Sequence, residues 1–250
     1  MKKVIVIKMG GVASDNLTKS FFEQVDHWQK TGKKVVIVHG GGHYISEMMQ
    51  RLNVPVKTQD GLRITTEETL KITQMVLIGQ VQPMITTHFQ QEGFSVVGLN
   101  ASCGQIITGT FLDKNTLGAV GVVTQVDTEL LEHLLETKHI PIIAPLGLTE
   151  TGEWLNINAD HVACKVAEEL QAEKLYLLTD VPGVKKENQW LKEITTSDVP
   201  KLKTANIIKG GMLPKLESAV TALKGGVKEV HITNKLQHAG TIIKSKEVFA

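Results

Sequence analysis

The residues best placed to do chemistry lie in short turns that follow apolar runs. Val35-Val36-Ile37-Val38 leads into His39 and then three consecutive glycines, Gly40, Gly41 and Gly42. The apolar run reads as a buried strand. Beyond the glycines, Ile45, Met48, Met49 and Leu52 recur at i, i+3, i+4 and i+7, one face of a helix. A strand that breaks into a glycine turn and then a helix presents unpaired N–H groups at a positive dipole end, which suits an anion such as phosphate. Glycine also lets the backbone approach a ligand closely. No Gly-Lys-Ser/Thr follows, so this is not a Walker A loop, and Ile45 breaks the dinucleotide fingerprint.

Other turns have the same character. Lys8 follows Val4–Ile7 and precedes Met9-Gly10-Gly11. A lysine ending a central parallel strand points into the crevice where open α/β sheets bind ligands; the alternative is a solvated strand end, which fits Lys2 and Lys3 better. Arg63, in Asp60-Gly61-Leu62-Arg63, offers a planar fork suited to a carboxylate, or is a surface arginine beside a helix start. Asn156, Asn158 and Asp160 alternate ahead of a helix. Either Asn158 or Asp160 can cap it, and three polar groups exceed what a cap needs. Thr179-Asp180-Val181-Pro182-Gly183 closes another strand, at the place for a nucleotide base or ribose, or as an ordinary turn. Lys209-Gly210-Gly211 enters a helix whose first turn holds Pro214 and Lys215. A lysine there opposes the helix dipole, a local fault of the kind that marks function.

Several classes are excluded. No histidine pair has zinc-ligand spacing with a third ligand nearby; His39 and His43 are four apart, but glycines intervene. No metal cage is expected, and no Gly-x-Ser-x-Gly elbow occurs. Two cysteines, Cys103 and Cys164, rule out a disulfide framework and favour a reduced, cytoplasmic setting, with Cys164 in the core. A net charge of +1 gives no case for nucleic acid or a membrane surface. No apolar run spans a bilayer, and Lys8 interrupts any signal-like start.

These turns need elements to position them, and 250 residues with 42% apolar content can bury a sizeable core. Apolar runs predict strands at Val4–Ile7, Val35–Val38, Ser95–Leu99, Ile140–Pro145, Leu175–Thr179 and Val230–Thr233. Helices are predicted over Leu17–Lys30, Tyr44–Arg51, Thr66 to Ile78, Gln82–Gln91, after Asp127, Ala159–Leu170 and Leu213–Lys224. Gln105–Phe111 and Val120–Val126 read as a hairpin turning at Asp113-Lys114-Asn115. The alternation predicts an α/β protein, an open, mostly parallel sheet sandwiched by helices. A charged link at Gln171–Lys174 divides it into lobes 1–172 and 173–250.

Six segments, taken in order, resemble the amino acid kinase family: Ile7–Gly11, Val38–Gly42, Asp60–Thr65, Asn156–Asp160, Leu178–Gly183 and Gly210–Lys215. Within the family the likeness is to members that phosphorylate N-acetyl-L-glutamate in arginine biosynthesis. The resemblance implies that ATP, carrying Mg²⁺, gives ADP and N-acetyl-L-glutamyl 5-phosphate. By the same resemblance Lys8 and Lys215 flank the phosphoryl group in transit, and Asp160 orients both. Gly10, Gly11, Gly41 and Gly42 line the phosphate and substrate region, and Arg63, Asn156 and Asn158 hold the amino acid. Thr179, Asp180, Gly183, Lys209, Gly210 and Gly211 belong to the ATP side, with no metal ligand from the protein. A cytoplasmic homodimer is implied; a first strand starting by Val4 leaves no room for the helix behind arginine feedback. Gly98–Gly104 departs from the family pattern. Kinases of the same fold for aspartate, glutamate, carbamate or uridylate differ in their substrate loops, and Asp60–Arg63 with Asn156–Asn158 favours acetylglutamate. A non-catalytic amino acid sensor would lack Lys8, Asp160 or Lys215. A nicotinamide dehydrogenase would need the missing fingerprint.

Overall fold

The computed structural model describes residues 3–10, 17–204, 208 and 211–245. The chain runs β1 (Val4–Met9), α1 (Lys19–Lys30), β2 (Lys34–His39), α2 (Gly42–Arg51), the hairpin β3 (Thr58–Gln59) and β4 (Leu62–Arg63), α3 (Glu67–Val76), a π-helical turn (Leu77–Val81) and α4 (Gln82–Gln91). Next come β5 (Val96–Leu99), β6 (Ile107–Phe111), α5 (Lys114–Leu117), β7 (Val120–Val126), α6 (Thr128–Glu136), β8 (Ile140–Ile143), β9 (Leu146–Leu148), β10 (Trp154–Ile157) and α7 (Ala159–Glu169). The last part holds β11 (Lys174–Leu178), the ribbon β12 (Lys185–Lys186) and β13 (Gln189–Trp190), β14 (Glu193–Thr195), α8 (Asp198–Thr204), α9 (Met212–Lys224), β15 (Glu229–Thr233) and β16 (Thr241–Lys244).

Eight strands form one sheet in the order β14-β16-β15-β11-β1-β2-β8-β5. The run from β15 to β5 is parallel throughout, so six carboxyl ends share one edge. β16 alone pairs antiparallel to its neighbour β15. The expected open, mostly parallel α/β sheet is therefore present. It continues across residues 171–174, because β1 pairs directly with β11.

Side-chain alternation sorts the sheet into two cores. Val4 and Val6 of β1, with Val36 and Val38 of β2, pack under α7 and α9, against Val162, Val166, Leu216 and Ala219. Ile5, Ile7, Val35 and Ile37 face Phe21, Val25 and Trp28 of α1 and Ile45 and Met49 of α2. Lys8 continues the even-numbered row, so its side chain leaves the sheet toward α7 and α9. That parity places a lysine among helix N-termini.

Three expectations need correcting. Thr66–Ile78 and Gln82–Gln91 are not separate helices: the π turn at Leu77–Val81 joins them into one helical run. The residues 113–115 do not make a simple turn, because Asp113 caps the short helix α5 through Thr116 N–H. The β6–β7 pair does not stand alone but closes with β9 and β10 into a small barrel. Leu155 and Ile157 fill it, where any side chain at Gly121 or Gly147 would collide with them.

Candidate active site

A cavity of about 230 Å³ opens at the carboxyl ends of β2 and β8, lined by Gly40, Gly41, Gly42, Arg63, Asn156 and Asn158 among others. This is where parallel sheets place their ligands. Gly41 is the N-cap of α2, and no side chain caps that end. The N-terminus of α2, with Gly41 and Gly42 on the cavity wall, thus turns its positive dipole end toward the cavity. Gly41 packs closely on the π turn: a Cβ there would lie 2.7 Å from Leu77 Cδ2 and 3.2 Å from Val81 Cγ2, so a side chain would displace Leu77. π turns are rare and concentrate at functional sites. Here the turn brings Leu77 to the cavity wall.

Arg63 stands on the β3–β4 hairpin and reaches back to α2. Its Nη2 donates to the Gly42 carbonyl at 2.8 Å and to Ser46 Oγ at 2.7 Å, and Nη1 to Met49 Sδ at 3.2 Å. Partial burial lowers its pKa from the ordinary value, yet a guanidinium stays charged in proteins. Asn156 comes from barrel strand β10, and its Nδ2 donates to Thr65 Oγ1 at 3.0 Å. Thr65 Oγ1 in turn donates to the Arg63 carbonyl at 2.8 Å. Thr65 is fully buried and also bonds the connection between α5 and β7 through both backbone groups, at Leu117 O and Ala119 N. The residue between those two, Gly118, adopts φ +67° and would strike the Thr65 carbonyl with any side chain. Thr65 therefore locks Arg63 and Asn156 into one unit.

The charged centre adjoins this cavity through Asn158 and Ala159, which line it immediately before Asp160. Asn158 is the cap of α7: its Oδ1 accepts from Asp160 N–H at 2.8 Å and from His161 N–H at 3.3 Å. That resolves the choice between Asn158 and Asp160 and frees the Asp160 carboxylate. Its Oδ2 accepts a 2.7 Å hydrogen bond from Lys215 Nζ of α9. Its Oδ1 lies 2.9 Å from Lys8 Nζ, as an ion pair without hydrogen-bond alignment. All three side chains are largely buried. Burial opposes ionising Asp160, but the two ammonium groups outweigh it and hold the carboxyl below its usual range. Burial lowers the pKa of Lys8, with Lys215 adding to the effect and Asp160 opposing it. Two cations and one anion leave a net charge of +1 at the crevice.

Gly10 adjoins the same centre, since a Cβ there would lie 3.7 Å from Lys8 Nζ. Thr179 and Asp180 follow β11 on the other side of β1. Thr179 Oγ1 donates to Asp180 Oδ1 at 3.0 Å, and Asp180 is exposed. Gly183 packs instead against β16, where a Cβ would meet Thr241 Oγ1 at 2.6 Å. Gly211 is the N-cap of α9, with open space around it. Gly11, Lys209 and Gly210 lie outside the described residues. Thr65 and Leu77 escape sequence reasoning, because a buried threonine and a leucine in a helical pattern read as packing. Among the described residues no group of three or more His, Cys, Asp or Glu could hold a metal ion. No helix among them is long and apolar enough to cross a membrane.

A parallel sheet with a lysine-flanked carboxylate beside a glycine-turn cavity defines a phosphoryl-transfer scaffold. The profile of the amino acid kinase family matches residues 3–234, and the chain belongs to that family. An acetylglutamate kinase from Listeria welshimeri is 55% identical over 246 residues, covering 98% of each chain. Another, from Leuconostoc citreum, is 46% identical over 243 residues, covering 97% of this chain and 99% of its own. The crystal structure of smu.665 from Streptococcus mutans UA159 matches with a TM-score of 0.93 and 40% identity, covering 98% of this chain and 99% of that one.

Proposed function

We propose that the chain transfers the γ-phosphoryl group of ATP to the side-chain carboxylate of N-acetyl-L-glutamate, giving ADP and N-acetyl-L-glutamyl 5-phosphate. The observation that carries this is the Lys8–Asp160–Lys215 centre beside a cavity furnished with Arg63 and Asn156. The relatives named for this activity, at 55% identity across 98% of the chain, support the choice of substrate.

Arg63 pairs with the acceptor's α-carboxylate, and Asn156, held by Thr65, bonds its amide. The acceptor's side-chain carboxylate is already ionised near neutral pH, so attack on phosphorus needs no general base. The obstacle is repulsion between two anions. The net positive centre of Lys8, Asp160 and Lys215, with the N–H groups of Gly41 and Gly42, offsets charge spreading over the phosphoryl oxygens. Asp160 sets the spacing of the two ammonium groups before substrate arrives, which removes a reorganisation cost. Mg²⁺ arrives with ATP, bound mainly by phosphate oxygens and water. Residues 1–172 form the acceptor lobe and 173–250 the nucleotide lobe, with Thr179, Asp180 and the Lys209–Gly211 turn on ATP. By resemblance to the family, the assembly is a homodimer in the cytoplasm, which light scattering and fractionation test.

The decisive assay measures ADP release with N-acetylglutamate against glutamate, aspartate, carbamate and UMP. Release with N-acetylglutamate at least tenfold above the others is the expected result. Preference for another acceptor would move the chain elsewhere in its family. Tight binding without turnover would make it a sensor.

A further inference from the structure

His39 ends β2 on the face turned toward α1 and α2, and it is fully buried. Its Nδ1 lies 2.8 Å from the carbonyl oxygen of Gly40. A carbonyl only accepts, so Nδ1 carries the proton and Nε2 is a bare acceptor. Nε2 is buried and has no hydrogen-bond partner among the described residues. A buried, unpaired acceptor is costly, and a leucine would fill the same space without that cost. Something other than packing accounts for an imidazole here.

The bond it makes sits at a telling place. Gly40 and Gly41 are both glycine, so the peptide between them can turn over with little steric resistance. A trans peptide points its C=O and its N–H in opposite directions. Holding the Gly40 oxygen against His39 therefore turns the Gly41 N–H away from the ring. That N–H has no acceptor among the described residues, and both Gly40 and Gly41 line the cavity. Burial drives the ring's pKa down to about 4, so the imidazole is neutral and the bond unchanged across working pH.

We propose that His39 is a positioning residue for phosphoryl transfer: by holding the Gly40 carbonyl, it aims the Gly41 N–H at the phosphoryl group in transit. The proposal rests on the reaction assigned above. His39 neither ligates metal nor exchanges protons with substrate; it chooses one of two peptide orientations in the glycine turn. The N–H of Gly41 is then pre-aimed, as stabilising donors must be if they are to act without reorganisation.

The test uses His39→Leu, which removes the donor, and His39→Asn, whose amide N–H falls near the place of Nδ1–H. In the ADP-release assay His39→Leu loses about 10- to 100-fold in kcat, with KM for ATP held within about twofold, as a misaimed group predicts. His39→Asn recovers most of that loss. A folded His39→Leu protein with wild-type kcat overturns the proposal, as does failure of His39→Asn to recover more than His39→Leu. Should His39→Leu not fold, nitrogen NMR of the wild-type protein labelled with ¹⁵N-histidine decides the bond. It is expected to show protonated Nδ1 and bare Nε2 at pH 7; the opposite tautomer or a cationic ring overturns the proposal. A wild-type chain that releases no ADP with N-acetylglutamate fails the assigned reaction instead, and the NMR result still decides the bond.

Discussion

The carboxyl ends of β2 and β11 flank β1 and are furnished very differently. After β2, the Gly40–Gly42 turn is held by His39, by the π turn at Leu77 and by Arg63 on the Gly42 carbonyl. Arg63 is tied through Thr65 to Asn156, so these side chains are held by partners inside the protein. After β11, Asp180 is exposed, and the bond it receives comes from its own neighbour Thr179. In the reaction proposed above, the first region suits a small acceptor that must be chosen among similar amino acids. In that reaction the second region would meet ATP, whose size and charge bring binding energy of their own. Between them, Lys8 and Lys215 converge on Asp160 from β1 and α9.

The centre shared by both regions should show the largest effect. Lys8→Ala is expected to lower kcat by about 10²–10³, the cost of losing one transition-state donor. Near-normal turnover would remove Lys8 from the reaction. Burial of neutral His39 gives a second large effect, on stability. The unfolded chain takes up a proton below about pH 6.5, whereas the folded ring does so only near pH 4. Stability is therefore complete above pH 6.5 and falls as pH drops toward 4, by about 3 kcal/mol from this group. Denaturant unfolding at pH 7.5 and 4.5 reads it: His39→Asn should lose less than wild type on acidification. An equal loss would show that His39 does not titrate as its burial requires.

Smaller effects separate the two regions. Arg63→Ala is expected to raise KM for N-acetylglutamate by roughly 10- to 100-fold, the value of a charge-assisted hydrogen bond, and to leave KM for ATP unchanged. A rise in the ATP constant instead would break the distinction between the regions. Thr65→Val keeps the shape and removes the hydroxyl shared by Arg63 and Asn156. It should raise the acceptor's KM by about 5- to 10-fold, a net neutral hydrogen bond, with Thr65→Ser restoring it. Combined with Arg63→Ala, its effect should be less than additive, because both act through one unit.

The same contrast explains what was legible in the residues alone. Strands such as Val35–Val38 and the capped helix after Asn158 follow from local pattern, and the order of glycine turns along them identifies the family. Parity along β1 puts Lys8 in one row with Val4 and Val6, but which helices that row meets is decided by the fold. The barrel was not legible as such, since Leu146–Leu148 and Trp154–Ile157 are short and pair with strands distant in sequence. The π turn was hidden too, because Leu77–Val81 lies across the join between two helical patterns and no residue type marks a π turn. In the sequence His39 stands out only through its four-residue spacing from His43. Its bond to the next residue's carbonyl depends on a rotamer that composition does not encode.

One measurement reaches the central claim directly: a crystal structure with ADP, aluminium fluoride and N-acetylglutamate, in which the fluoride complex stands in for the migrating phosphoryl group. Both Lys8 Nζ and Lys215 Nζ are predicted within about 3 Å of its fluorides, at hydrogen-bond distance. A fluoride complex bound with either nitrogen turned away from it would contradict the account.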